Sequence, residues 1–264
     1  MANASAKPLA WLGLFDAARG LLVWAGGLAV LFGAWQAVLS FGLMPPELLP
    51  PIGDVLATAA DLASRPDFQR HVGVTVAEVM VAFVIAVPLG IVLGIAIAES
   101  RYWSEVLKPI VFLVFSIPKT IFLPMFILAF GINFAQKVGF GVFSTIFIVL
   151  ISAFSALDSV KSDHVRVARA YGATPAQIAW RVYLPSMAPV LLEAVRLAMI
   201  FNLTGILLAE MYASRAGLGQ LIANWGENFM LRELLAGILL IAAAAIVFNE
   251  TVRWFEAKCE HWRT

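Results

Sequence analysis

Apolar residues run in long stretches along the chain, and polar residues gather in the short segments between them. Crossing the hydrocarbon core of a bilayer takes about 20 consecutive apolar residues in a helix. Five stretches qualify with little interruption: about 20–42, 72–98, 138–157, 187–210 and 231–254. The second contains one acid, Glu78, and the last has Arg232 at its start and Arg253 near its end. A sixth, about 105–131, is apolar enough but is interrupted by Pro109, Pro118 and Pro124, with Lys119 in its middle. Proline removes a helix hydrogen bond and bends the helix. We read it as one broken crossing, which predicts an all-α integral membrane protein of about six spans. Broken backbone inside a bilayer persists only where protein or a water-filled cavity satisfies the freed groups, so the break points to a pathway.

Composition agrees with the pattern. The chain is 61% hydrophobic and only 13% charged, against about 25% charged in soluble domains. Mean hydropathy is +0.89. A net charge of +1 with dispersed basic residues leaves no footprint for nucleic acid. The single cysteine, Cys259, excludes an intrachain disulfide and a cysteine-rich metal site. No small-x-small cleavage site follows the first apolar run, so that run is expected to be a retained span.

Lysine and arginine set the orientation. With six spans both termini share a side. Placed inside, the cytoplasmic segments hold Lys7, Arg19, Arg101, Lys108, Lys161, Arg166, Arg169, Arg181, Arg253, Lys258 and Arg263. The outer segments then hold Arg65, Arg70, Lys137, Arg215 and Arg232. That excess predicts cytoplasmic termini. The organisation expected is a cytoplasmic segment 1–19, one membrane domain 20–255 and a cytoplasmic tail 256–264. The outer segment 43–71 has prolines at 45, 46, 50, 51 and 66 around a short amphipathic stretch, about 53–64, which fits a surface helix.

The cytoplasmic loop 158–186 carries strong local signals. A first helix, about 161–171, is expected to end at Gly172, because glycine takes the left-handed conformation without penalty. Thr174 then precedes Pro175, a cap followed by proline at the first helical position. A second helix, about 175–183, is expected to stop at Leu184-Pro185. A rigid helix–turn–helix element between two spans follows. Physics alone leaves two readings of it, a stable interfacial hairpin or a docking element.

The residues of this loop resemble a known family. Arg166-Val167-Ala168, three residues, Gly172, nine residues, Val182, Tyr183 and Leu184-Pro185 follow the spacing of the EAA motif of binding-protein-dependent ABC importer permeases. Ala168, Gly172, Leu184 and Pro185 match the motif, and Arg169 and Ala173 are usual in the family. The family's glutamate is Arg166 here, and its first alanine is Val167. Further along, Ser116-Ile117-Pro118, Leu123-Pro124, Phe130-Gly131-Ile132, Ala209-Glu210-Met211 and Gly217-Leu218-Gly219 resemble the nitrate/sulfonate/taurine subfamily, over roughly residues 48–255. The resemblance implies the type I importer permease fold. It implies that the loop is a coupling helix, with Arg166, Ala168, Arg169, Gly172, Ala173, Leu184 and Pro185 against a cytoplasmic ATPase subunit. It also implies a second permease copy, a periplasmic solute-binding protein and the bacterial inner membrane. ATP and magnesium would be held by the partner ATPase, with no cofactor in this chain. The implied cargo is a small solute, and Lys119 favours an anion such as a sulfonate, taurine or nitrate.

Ionisable side chains inside spans are costly and mark function by default. Ser116, Pro118, Lys119, Asn202, Thr204 and Glu210 are the candidate pathway residues. Lys119 has two readings, a contact for an anion in the path or a side chain that snorkels to an interface. Asn202, Thr204 and Gly205 either line the path or bond a neighbouring helix. Glu193 and Arg196, three apart, are placed to pair. Glu78 is expected to find a base or a hydroxyl. Gly90 and Gly94 form a small-residue pair for a dimer face or for internal packing. By resemblance Glu210 lies near an outer gate, and the glycine-rich segment 214–227 folds back as that gate or is an ordinary loop.

No phosphate loop, zinc-protease motif or catalytic triad is present in the sequence, and His71, His164 and His261 are scattered. No catalytic residue and no metal site is expected, and with the resemblance the chain is expected to be a transport subunit and not itself an enzyme. The alternatives are a passive channel or ion-coupled carrier, or a membrane anchor for an ATPase without transport.

Overall fold

The computed structural model describes residues 10–158, 160 and 162–260. Lys7, Lys161, His261 and Arg263 lie outside them. The described residues form helices α1 (Ala10–Ser40), α2 (Ile52–Ser64), α3 (Pro66–Glu99), α4 (Arg101–Ser116), α5 (Leu123–Phe130), α6 (Phe134–Asp158), α7 (Ser162–Ala170), α8 (Pro175–Ile178), α9 (Leu184–Tyr212), α10 (Leu218–Glu227) and α11 (Leu231–Glu260). A 3₁₀ turn, Lys119–Phe122, lies between α4 and α5, and a π-helical turn, Ala179–Tyr183, joins α8 to α9.

Among the described residues, α3, α6, the continuous run Pro175–Tyr212 and Leu231–Thr251 of α11 are long and apolar enough to cross a membrane. The proline-rich stretch is a bent pair: Arg101–Ser116 and Lys119–Phe130 meet at 90°. Ile117 is extended where the helix stops, because the residue before Pro118 is pushed out of the helical region. Helix α1 carries a shorter apolar stretch, Ala25–Ser40.

Helices α3, α6 and α9 form the centre. Small residues let them approach: a Cβ on Gly90 would lie 2.7 Å from Val149 Cγ1, and one on Gly94 would lie 2.5 Å from Ala153 Cβ. These two glycines are therefore packed internally against α6. The same logic holds on the other side of α6, where a Cβ on Gly205 would meet Ser144 Oγ at 2.7 Å. Lipid tails are as apolar as leucine, so close van der Waals fit of this kind is what holds spans together.

Each end of the bundle has its own apolar cluster. At one end Ile95, Ala153, Ala156, Ile178, Tyr183, Met187 and Leu191 join α3, α6, α8 and α9. At the other, Val55, Leu62, Phe68, Trp225 and Ala236 join α2, α3, α10 and α11. Helix α9 runs between the two ends, about 43 Å at 1.5 Å per residue.

One expected boundary is corrected. The second helix of the loop does not stop at Leu184-Pro185. Pro185 has no N–H to give Arg181, and the chain answers by widening into a π turn in which Leu184 N–H donates to Ala179 O. The helix then continues into α9, so the loop and the span are one rod.

Candidate functional site

The hairpin α7–α8 is closed by two local devices. Helix α7 ends in a paired cap. Gly172 has φ +78°, Ala173 N–H donates to Ala168 O at 3.0 Å, and Gly172 N–H donates to Arg169 O at 2.9 Å. Helix α8 starts with a reciprocal cap: Gln177 N–H donates to Thr174 Oγ1 at 3.3 Å, and Thr174 N–H donates to Gln177 Oε1 at 2.8 Å. The sequence signals at Gly172 and Thr174-Pro175 come from these caps.

The motif residues divide by face. Ala168, Ala173 and Leu184 pack against the apolar cluster at this end, and Pro185 is half-buried beside them. Arg166, Arg169 and Gly172 are exposed. Arg166 stands 3.9 Å from Asp163, and Arg169 stands 3.5 Å from Glu99 of α3. The outward face also presents large apolar groups: Val167 is 55% exposed, Trp180 73% and Tyr171 88%.

The candidate pathway residues fall into two sets. Ser116, Pro118 and Thr204 are exposed and Lys119 is half-buried. Lys119 Nζ donates to Phe115 O at 2.8 Å and sits 4.1 Å from the Phe115 ring centroid and 5.9 Å from that of Phe201. The Phe115 and Phe201 rings touch, with centroids 5.9 Å apart. Phe201 and Thr204 are one turn apart on α9, so the break in the bent pair faces Thr204. Thr204 Oγ1 donates to Ile200 O within its own helix.

Asn202 and Glu210 are fully buried in the α3–α6–α9 centre instead. Asn202 Nδ2 donates to Val79 O of α3 at 2.7 Å. It therefore bonds a neighbouring helix, while Gly205 packs closely against Ser144 of α6. Glu210 Oε1 accepts from Thr75 Oγ1 at 2.7 Å, and its Oε2 accepts from Gly219 N–H at 2.6 Å.

Glu78 does find a base. Lys137 Nζ lies 3.1 Å from its Oε1, and both side chains are buried. The charge pattern had assigned Lys137 to an outer segment. It lies instead in the first turn of α6, pointing into the protein. Arg196 Nε donates to Asn249 Oδ1 of α11 at 3.0 Å. This pair sits at one end of an apolar cavity of about 520 Å³ between α3, α9 and α11, with Thr75 and Leu218 toward the other end. None of the six candidate pathway residues lines that cavity. Among the described residues no cluster of His, Cys, Asp and Glu is placed to hold a metal ion.

Comparison with known proteins meets this geometry. A taurine transport system permease protein of Escherichia coli (strain K12) is 30% identical over 242 residues, which are 90% of this chain and 88% of that protein. A putative aliphatic sulfonates transport permease protein of Bacillus subtilis (strain 168) is 26% identical over 243 residues, 91% of this chain and 88% of that protein. A formylaminopyrimidine transport permease protein of Halalkalibacterium halodurans is 24% identical over 218 residues, 83% of this chain and 87% of that protein. Two solved structures share the fold. A chain of a bacterial ABC transporter that imports the acidic polysaccharide alginate superposes with a TM-score of 0.66 at 15% identity, over 93% of this chain and 98% of that one. A chain of an inward-facing methionine ABC transporter gives 0.61 at 21% identity, over 71% and 91%. The family model described as the binding-protein-dependent transport system inner membrane component matches residues 86–260, a stretch that begins within α3 and takes in the bent pair, α6, the hairpin and α9. With its all-helical membrane fold and its rigid hairpin on the span α9, the chain belongs to that family and is the permease subunit of an ABC importer.

Proposed function

We propose that this permease carries a small solute with an anionic group, such as a sulfonate, taurine or nitrate, across the bacterial inner membrane, with both termini cytoplasmic. ATP hydrolysis resides in separate ATPase subunits that dock on α7–α8. A periplasmic binding protein delivers the solute, and a second copy of the chain completes the path. The observation that carries the coupling reading is the hairpin itself. Its caps make it rigid, Ala168, Ala173 and Leu184 seat it in the bundle, and Val167, Tyr171 and Trp180 face outward. A motion imposed on that face passes directly into α9, because the π turn joins them without a break.

The anion reading rests on Lys119. Its ammonium group lies in the break of the bent pair against the faces of two phenylalanines, where a cation is attracted by the ring quadrupoles. An ammonium with limited access to water favours an anionic group nearby. Two of the permease relatives, named for taurine and for aliphatic sulfonates, support the same class.

The test is reconstitution of the chain with its ATPase and binding protein in proteoliposomes. Taurine and short alkyl sulfonates are expected to accumulate only with ATP inside the compartment that faces the hairpin. Lys119→Gln should lower sulfonate uptake about tenfold or more, the effect of losing one charge partner for the solute. Uptake driven by an ion gradient without ATP would instead establish the carrier alternative. ATP hydrolysis that never depends on solute would establish the anchor alternative.

A further inference from the structure

Helix α10 begins without a side-chain cap of its own. Its first N–H groups find acceptors on two other helices. Gly217 N–H and Gly217 O each lie 3.0 Å from His71 Nδ1, whose tautomer sets which of them it bonds, and Leu218 N–H donates to Thr75 Oγ1 at 2.8 Å. Gly219 N–H donates to Glu210 Oε2 at 2.6 Å. Thr75 in turn gives its own proton to Glu210 Oε1 at 2.7 Å. His71 and Thr75 are one turn apart on α3, and Glu210 is at the end of α9. Three consecutive backbone donors thus sit in a socket built from residues about 140 positions away and from Glu210.

We propose that Glu210, with Thr75 and His71, positions α10 during transport. The socket locks α10 to the end of α9 opposite the hairpin, so that movement of the hairpin and movement of α10 are coupled through one rod. The transport part of this inference rests on the importer reading above, while the socket stands on its own geometry.

Shape supports the assignment. Gly217 has φ +116°, and a Cβ there would lie 2.1 Å from Glu210 Oε1. A Cβ on Gly219 would lie 2.3 Å from Leu207 O and 2.7 Å from Glu210 Cβ. Only glycine lets the backbone approach the carboxylate this closely. Electrostatics supports it too. The start of a helix carries partial positive charge, which a carboxylate complements. Burial makes the two bonds to Glu210 costly to lose, because no water replaces the missing partner. At its other end α10 is held differently, by Trp225, which stacks on Phe68 with centroids 6.5 Å apart and fits against Gly237. Loss of the socket therefore leaves α10 held by apolar contacts, those of Trp225, Leu218 and Leu221.

The experiment has two arms, both on the full chain in its complex with ATPase and binding protein in nanodiscs. The first is amide hydrogen exchange of residues 214–224. Glu210→Ala should speed exchange at Gly217–Leu221 about fivefold, the factor that follows from one lost hydrogen bond of ordinary net strength. Thr75→Val keeps the shape, removes the hydroxyl and should act on the same amides if Glu210→Ala does not fold. Wild-type protection of Gly217–Leu221 in both variants, or in Thr75→Val alone if only it folds, overturns the socket. The second arm is ATP hydrolysis with and without loaded binding protein. Glu210→Ala should lower the ratio of stimulated to basal rate about fivefold or more, and Glu210→Gln, which keeps one oxygen acceptor, should restore part of it. If both rates fall in proportion, Glu210 is structural and the positioning role is overturned. If the wild-type complex shows no stimulation at all, the importer reading fails, and the exchange arm alone decides the socket.

Discussion

The two ends of α9 carry short helices that are held in opposite ways. At one end, α7 and α8 cap themselves through Gly172 and Thr174, and apolar contacts with one exposed ion pair, Arg169–Glu99, seat them. At the other, α10 is capped by side chains from α3 and α9, deep among buried polar groups. A self-capped element keeps its shape when a partner pulls on it. An element capped by others keeps its shape only while those others stay in place. On the readings proposed above, the hairpin is the element a partner grips and α10 the element that responds to where the spans are.

The largest effect is expected behind the socket, at the Glu78–Lys137 pair. Lys137→Met leaves a buried carboxylate without its base, which costs about 3–5 kcal/mol. The double variant Glu78→Leu with Lys137→Met should recover most of that loss, because two apolar groups need no partner. Chemical unfolding in mixed micelles measures both. A single variant as stable as the wild type would show that the pair does not support the α10 end.

Next comes Gly219→Ala. Its Cβ would meet the Leu207 carbonyl oxygen at 2.3 Å, and backbone cannot yield as a side chain does. A loss of about 1–3 kcal/mol is expected, the range for forced overpacking. Gly172→Ala, at the hairpin, meets nothing within 4 Å and is strained only by φ +78°. It should cost about 1 kcal/mol. Equal losses at the two glycines would erase the contrast between a crowded socket and an open cap.

The helices were legible because hydropathy and caps act locally. The expected runs about 138–157 and 187–210 lie within α6 and α9, and Gly172 and Thr174-Pro175 announce the turn that joins α7 to α8. The partners were not legible, because they are set by packing between distant segments. Glu78 calls for a base or a hydroxyl, but nothing in its neighbourhood points to Lys137, 59 residues on. Thr75 and Glu210 are 135 apart. Leu184-Pro185 read as a stop, since a π turn that absorbs a missing N–H has no strong signature of its own. Asn202 and Thr204 read as one polar patch, yet residues two apart on a helix face different ways, one into the centre and one out.

The smallest effect on stability, and the sharpest on function, is expected at Arg166. Its side chain is 81% exposed and stands 3.9 Å from an equally exposed Asp163, a surface pair of little energetic weight. Arg166→Glu introduces the glutamate usual at this motif position and sets two carboxylates three residues apart on α7. Stability should change by no more than about 0.5 kcal/mol, as for a surface site without a buried partner. Binding of the ATPase should change far more, because the charge lies on the face that Val167 and Tyr171 share. Titration of the detergent-solubilised permease with its ATPase reads this directly. A weaker complex with unchanged folding is what a self-capped docking element requires. An unchanged complex would mean that the grip lies elsewhere on the hairpin, at Trp180 and Arg181 rather than on α7.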